Sequence, residues 1–390
     1  MPEVATPKKS AGWTTVAFGD VVKLSKERSS DPEGDGYERY IGLEHIDPGE
    51  LRVRRWGDIA DGVTFTNVFK PGQVLFGKRR AYQRKVAVAD FSGVCSGDIY
   101  VLEPKGDALL PELLPFICQT DAFFEHAVGT SAGSLSPRTN WKSLATFQFA
   151  LPPIEEQRRV AELLQAIDAS IASQQNFSAT VDATRRAWLD HATRALLEIS
   201  PELCLNDVCD QITDGAHKTP TYVEDGAPFL RVTDIQDDHV RWQDVKRIPK
   251  DEHSELCKRC RPERGDVLLS KNGTIGITKV VDWDTEFSIF VSLCLLKPGA
   301  TIRSDYLQLM VESPHASRQL LLRIKQGTVK NLHLEEIREC KIPLPGWGVQ
   351  GETVERARHF LRQRRASDAR VSELQSMKTK VLHQVTQRRS

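Results

Sequence analysis

The sequence predicts an α/β protein built as a pseudo-twofold internal repeat: two similar mixed α/β domains separated by two long antiparallel helices in a coiled coil. Three observations carry this. "LPPIEEQRRVAELLQAIDASIA" (Leu151–Ala172) opens a stretch without Pro or Gly from Ile154 to Ser200, far more helix than one domain needs. A weaker copy, "IPLPGWGVQGETVERARHFLRQ", begins at Ile342, and its Leu344 follows Leu151 by 193 residues. The same offset separates Gly72 in "PGQVLF" from Gly265 in "RGDVLLS", and Gln157 from Gln350. Repetition at so long a period means duplicated domains rather than a solenoid.

Four segments follow in order: a domain over 1–150, a central helix over 151–200, a second domain over 201–345, and a distal helix over 346–390. In the first domain "YIGLEHI", "QVLFG", "KVAVAD" and "DIYVLEP" are β-branched or aromatic runs bounded by Gly, Asp and Pro, and they predict strands. Their partners are "FLRVTDI", "DVLLS", "ITKVVD" and "FSIFVSLCLLKP", while "FGDVV" (Phe18–Val22) faces "LNDVC" (Leu205–Cys209). A helical stretch ends each domain, "LPELLPFICQTDAFFEHA" and "SDYLQLMVESPHASRQLLLRI", with Pro115 and Pro314 inside them.

The central helix opens on Glu155 and Glu156, the favourable end for negative charge. Val160, Leu164, Ile167 and Ile171, then Val181, Trp188, Ala192 and Ala195, mark an apolar seam, with Gln174, Ser178 and Arg185 as its polar middle. Run to Glu198, it is on the order of 65 Å long at 1.5 Å per residue. The distal helix offers Val354, Ala357, Leu361, Val371, Leu374, Val381 and Val385 as a matching stripe. Such a pair acts as a spacer with a domain at each end; the alternative is that each helix packs on its own domain.

Composition narrows the function classes. A length of 390 residues with 40% hydrophobic content suits two or three globular domains. No apolar run approaches the roughly 20 residues that span a bilayer, and "MPEVATPKKSAGW" has no apolar signal core. The expectation is a cytoplasmic protein without membrane contact, its eight dispersed cysteines reduced. Net charge is zero, so only local clustering speaks for nucleic acid.

These residues carry a resemblance. "LPPIEEQRRVAELLQAID" is similar to the central segment of the specificity subunits of type I restriction-modification systems. "ITDGAHKTPTYVEDGAPFLRVTDIQ" (Ile212–Gln236) and "RGDVLLSKNGTIG" (Arg264–Gly276) resemble their target-recognition domains. The likeness runs over nearly the whole chain. Two departures stand out: "LPGWGVQGE" keeps Gln350 but lacks the Pro-Pro and Glu-Gln pairs, and "LSKERSSDPEGDGYERY" has no "DGAHKTP"-type loop. The resemblance implies that each domain reads one half of a bipartite site in double-stranded DNA. It implies helices that set the spacer and dock two modification (methyltransferase) subunits. Adenine methylation is then directed by the assembly, and cleavage when a restriction (motor-nuclease) subunit is present. It implies no cofactor in this chain; S-adenosylmethionine, ATP and Mg belong to partner subunits.

The loops agree with that reading. "GKRRAYQRK" (Gly77–Lys85) gathers Lys78, Arg79, Arg80, Arg84 and Lys85 with Tyr82 interleaved and no acid. Arginines there suit phosphates or guanine edges; a solvated hairpin tip is the plain alternative. The equivalent slot, "SKNGTIG", offers Lys271, Asn272 and Thr274. A second loop precedes each long helix. "GTSAGSLSPRTNWKSL" (Gly129–Leu144) supplies Ser134, Ser136, Arg138, Thr139, Asn140 and Lys142, and "KQGTVKNLHL" supplies Lys325, Gln326, Lys330 and Asn331. "TDGAHKTP" adds Thr213, Asp214, His217, Lys218 and Thr219. Hydroxyl and amide groups suit phosphate oxygens, and a plain surface connection remains the alternative.

Rival chemistries are weaker. Cys257 and Cys260 form C-x-x-C, with Cys204, Cys209, His217 and His253 in the same half, but no zinc knuckle surrounds them. There is no P-loop or zincin motif, and "LPPI" cannot serve as a methyltransferase Asn/Asp-Pro-Pro motif. Asp237 and Asp238 are expected to form a turn rather than a nuclease site. A non-enzymatic coiled-coil scaffold, another duplicated DNA-binding protein, and a duplicated enzyme with an unfamiliar site are the remaining alternatives.

Overall fold

The computed structural model describes residues 12–236, 239–323 and 331–387. The expectations placed on the N-terminal stretch through Ala11, on Asp237 and Asp238, on Lys325, Gln326 and Lys330, and on the Val385 side chain lie outside the described residues. The chain divides into two compact units. One runs up to Gln175 and includes the segment from Ala369 onward; the other is Asn176–Asp368.

In the first unit an antiparallel sheet has the order Val22–Leu24, Ile99–Pro104, Val74–Gly77, Val86–Val88. A mixed sheet has the order Gly57–Asp58, Arg39–Ile41, Gly93–Cys95, Asn67–Phe69, with Arg39–Ile41 parallel to Gly93–Cys95. Thr14–Ala17 pairs with Gln148–Leu151 beside them. The second unit repeats the plan. Cys209–Asp214, Leu293–Pro298, Val267–Ser270 and Thr278–Val280 form its antiparallel sheet. Lys246–Ile248, Ala227–Leu230 and Ser288–Ile289 form the mixed one, and Glu202–Cys204 pairs with Lys341–Pro343. Gly72 (φ 82°) and Gly265 (φ 96°) turn the chain into equivalent strands in a left-handed conformation that a side chain would oppose.

Several expected strands are shorter. "YIGLEHI" is a strand only over Arg39–Ile41, because His45 Nδ1 accepts from the Gly42 N–H at 3.0 Å and turns the backbone over Leu43–His45. The Asp234 carboxylate does the same for the Arg231 N–H at 2.8 Å in "FLRVTDI". Local side-chain acceptors outcompete the strand ladder here. "FSIFVSLCLLKP" is two strands in different sheets, a break its unbroken apolarity conceals. Each helical stretch is likewise two helices. Thr120 Oγ1 caps Asp121–Gly129 and Ser313 Oγ caps Pro314–Leu322. Pro115 and Pro314 sit in first turns, where the missing N–H costs nothing.

The long helices span Ile154–Ile199 and Trp347–Gln387. Their starts are built alike. Gln157 Oε1 accepts from the Leu110 N–H (2.9 Å), and its Nε2 donates to the Ala108 (2.8 Å) and Pro152 (2.9 Å) carbonyls. Gln350 Oε1 accepts from the Arg303 N–H (2.9 Å), and its Nε2 donates to the Thr301 (3.0 Å) and Pro345 (2.8 Å) carbonyls. Every partner is displaced by the same 193 residues.

The seam shifts along the helix. Leu164, Ile167 and Val181 are buried, but farther on Leu189, Thr193 and Leu196 replace the expected Ala192 and Ala195, the latter exposed. Leu361 is 39% exposed, and it is Phe360 that packs against Trp188, rings 5.6 Å apart. A strict 3,4 pattern drifts about 20° per heptad from a straight helix, enough to pass the contact to a neighbouring residue. Within the first unit Lys378 meets Asp168 (2.7 Å). Within the second, Ser178 donates to Asp368 (3.2 Å) and Arg364 pairs with Asp182. The residue numbers of each pair sum to 546, so in each unit the two helix segments run antiparallel in the same register.

Candidate nucleic-acid interface

In the first unit the strand Val74–Gly77 delivers the basic loop directly onto the Ser/Thr-rich one. The Lys78 N–H donates to the Asp98 carbonyl (2.9 Å), and the Lys78 carbonyl accepts from Thr139 (3.0 Å). Arg79 and Arg138 form an isolated antiparallel bridge, and the Arg80 N–H donates to the Pro137 carbonyl (2.7 Å). Arg80 (φ 53°) and Arg84 (φ 56°) adopt left-handed conformations on either side of the turn Ala81–Gln83, unusual for non-glycine residues.

The side chains divide by task. Asp98 accepts from Arg138 Nε at 2.8 Å and from Arg79 Nη1 at 3.3 Å. Burial raises its carboxyl pKa, but Arg138 and Arg79 outweigh that and hold it below the usual range. Ser136 Oγ accepts from Arg79 (3.1 Å) and Arg80 (3.3 Å). The Lys78 ammonium lies 4.8 Å from the Tyr100 ring centroid. Arg138, with 54% of its side chain exposed, Tyr82 and Ser134 face outward. Other expected contacts are engaged within the domain. Arg84 binds Asp121 (2.6 Å) over the Phe124 ring, Lys85 donates to the Leu43 carbonyl (2.5 Å), and Thr139 is buried. Asn140 Oδ1 caps the helix Trp141–Leu144.

The second unit stitches its loops the same way. Asn272 bridges Asn331, and the Leu332 N–H donates to the Lys271 carbonyl at 2.9 Å. These positions are Arg79, Arg138, Thr139 and Lys78 displaced by 193. Lys271 departs from expectation. Its side chain, 6% exposed, binds Asp214, 4% exposed, at 3.2 Å. Asp214 also accepts from His217 Nε2 (3.0 Å) and from Arg259 (2.7 Å). Thr213 and Asp214 therefore lie inside, out of reach of an outside ligand, while His217, Lys218, Thr219 and Thr274 are exposed.

Three residues escaped sequence reasoning. Asp98 and Arg259 are distant in sequence from the loops they organise, and nothing in "SGDIY" or "CKRC" marks them. Leu135, 91% exposed at the loop tip, was legible only as one apolar letter among serines. Among the described residues no group of three or more His, Cys, Asp or Glu side chains is placed to hold a metal ion. Burial pushes the Cys209 and Cys260 thiols up to about 12. No helix of the described residues is long and apolar enough to cross a membrane.

Fold and loops together define a duplicated α/β protein, one frame used twice with different side chains. The model of the family described as type I restriction modification DNA specificity domain matches residues 11–182 and 201–367. The chain belongs to this family and carries its domain twice. It is 28% identical over 199 residues to the type I restriction enzyme EcoDI specificity subunit of Escherichia coli, covering 49% of this chain and 44% of that one. It is 25% identical over 272 residues to the Escherichia coli EcoBI specificity subunit, covering 60% and 57%. The matches thus span about half the length of these relatives. A solved chain described under complex assembly and conformational transition of the type I R-M system has a TM-score of 0.62 at 21% identity. It covers 97% of this chain and 99% of that one, a likeness of fold.

Proposed function

We propose that this chain is the sequence-specific DNA-recognition subunit of a type I restriction-modification complex, each unit reading one half of a bipartite site. One observation carries it: the two loops are joined by the same backbone bonds in both units, while the residues at the junction differ, Arg79 and Arg138 against Asn272 and Asn331. A duplicated scaffold without a ligand has no need of different polar pairs at one conserved junction. Two half-site readers do.

In this reading the chain is not itself an enzyme. The long helices form a coiled coil that sets the spacer and offers two related surfaces to two modification subunits, with a restriction subunit joining for cleavage. The four-segment division at 150, 200 and 345 then separates reading from spacing. S-adenosylmethionine, ATP and Mg act on the partners, and the assembly works in the cytoplasm. The test is to map methylated adenines in a host expressing the chain with its modification subunits. Methylation at one gapped motif is expected, and none when the chain is omitted. Methylation that persists unchanged without it, or a continuous motif, would overturn the proposal.

A further inference from the structure

We infer that the paired positions across the two loops are the base-reading residues, and that they assign guanine to the first unit's half-site and adenine to the second's. This rests on the DNA-recognition reading above. Position 79 faces 138 and position 272 faces 331 as isolated antiparallel bridges. The flanking bonds, Thr139 N–H to Lys78 carbonyl and Leu332 N–H to Lys271 carbonyl, match at 3.0 and 2.9 Å. With these junction bonds the same, side-chain chemistry is what distinguishes the paired positions.

Guanidinium forks match the O6 and N7 acceptors of guanine, whereas a carboxamide, donor and acceptor together, matches N7 and N6 of adenine. The local hydrogen bonding fits each assignment. In the first unit Asp98 holds Arg138 by Nε and Nη2 and Arg79 by Nη1, and Ser136 takes Arg79 Nη2. A long flexible side chain restrained in this way presents its remaining N–H groups in one orientation, so Asp98 is a positioning residue. In the second unit the amide oxygens of Asn272 and Asn331 are shielded and have no hydrogen-bond partner among the described residues. Both residues are only half-buried, so turning the amide outward brings the orphaned acceptor to a donor, and the adenine N6 amino group is one. Lys271, the neighbouring cation, is committed to Asp214 and does not compete for the base.

The experiment is selection of duplexes from a randomised pool by the full-length chain assembled with its modification subunits, followed by sequencing. The wild type should enrich two blocks at a fixed separation. Arg79→Lys and Arg138→Lys keep charge but lose the fork, and each should lower a guanine preference in one block about 5- to 150-fold while leaving the other block intact. Asp98→Asn should relax the same guanine with the salt dependence of binding unchanged, which general unfolding would not produce. Asn272→Asp, nearly isosteric, should replace an adenine in the other block by cytosine, whose N4 amine needs an acceptor. Weakening spread evenly over all sequences, a change at a different base type, or no change would overturn the assignment alone. Failure of the wild type to enrich any sequence would overturn the DNA-recognition reading, and this assignment with it.

Discussion

A carboxylate buried between two cations holds its place only while it stays charged, and Asp214, with Lys271 and Arg259 beside it, is such a residue. Burial raises its pKa, yet the hydrogen bonds from His217, Lys271 and Arg259 outweigh that and leave it depressed. Its stabilisation is therefore fully present above the unfolded-state value of about 3.9 and lost as pH falls through the lower folded-state value. Asp214→Ala strands the buried Lys271 ammonium and should cost about 3–5 kcal/mol at neutral pH. The variant should also show a flatter loss of stability below pH about 4, where the wild type gives up this contribution. Urea unfolding from pH 7 to pH 3 checks both; an unchanged midpoint at pH 7 would show that the pair is not structural. Lys271→Ala should likewise act through stability rather than base preference. The sequence showed a polar slot at 271–274, but not that its lysine turns inward, because Asp214 reaches it only through the fold.

At the scale of elements the two halves are most alike where a side chain terminates or starts a helix. Thr120 and Ser313, and Gln157 and Gln350, are each separated by 193 and make equivalent bonds. Gln157 and Gln350 tie a helix start to a loop about 50 residues earlier, at sequence separations of 47 and 49. Replacing either by Leu leaves one N–H and two carbonyls without that partner, at about 1–3 kcal/mol for each group that stays buried and unpaired. Gln157→Leu should speed amide exchange at Leu110 and leave Arg303 unaffected; Gln350→Leu should do the reverse. Equal acceleration at both amides in either variant would argue against two local clamps. The repeated glutamine was legible as an offset, whereas its three hydrogen bonds were not, since "LPGWGVQGE" lacks the Pro-Pro and Glu-Gln pairs of the first copy. Helix length was legible because Pro and Gly are missing from Ile154 to Ser200. The buried positions near its end were read out of phase, because helical drift accumulates over many turns.

For the whole molecule, the open question is what fixes the distance between two half-sites, and the long helices are the proposed answer. Their absolute register is set by polar pairs rather than apolar ones: Asp168 with Lys378, Ser178 with Asp368, Asp182 with Arg364. A hydrophobic seam tolerates sliding by one turn; a salt bridge between numbered partners does not. Lengthening one helix alone would therefore break pairing on one side of the insertion. A matched change is needed: four residues after Ser173 and four before Glu373, positions that sum to 546 and are both exposed. Each insertion adds about one turn, roughly 6 Å at 1.5 Å per residue. Against a base-pair rise of about 3.4 Å, the spacer in the DNA target should grow by about two base pairs, with both half-sites unchanged. Mapping methylated adenines for the wild-type and doubly inserted chains reads this directly. A single insertion should instead destabilise the helix pair and lower methylation at every site. A matched insertion that altered a half-site while preserving the gap would show that something other than the helices sets the distance.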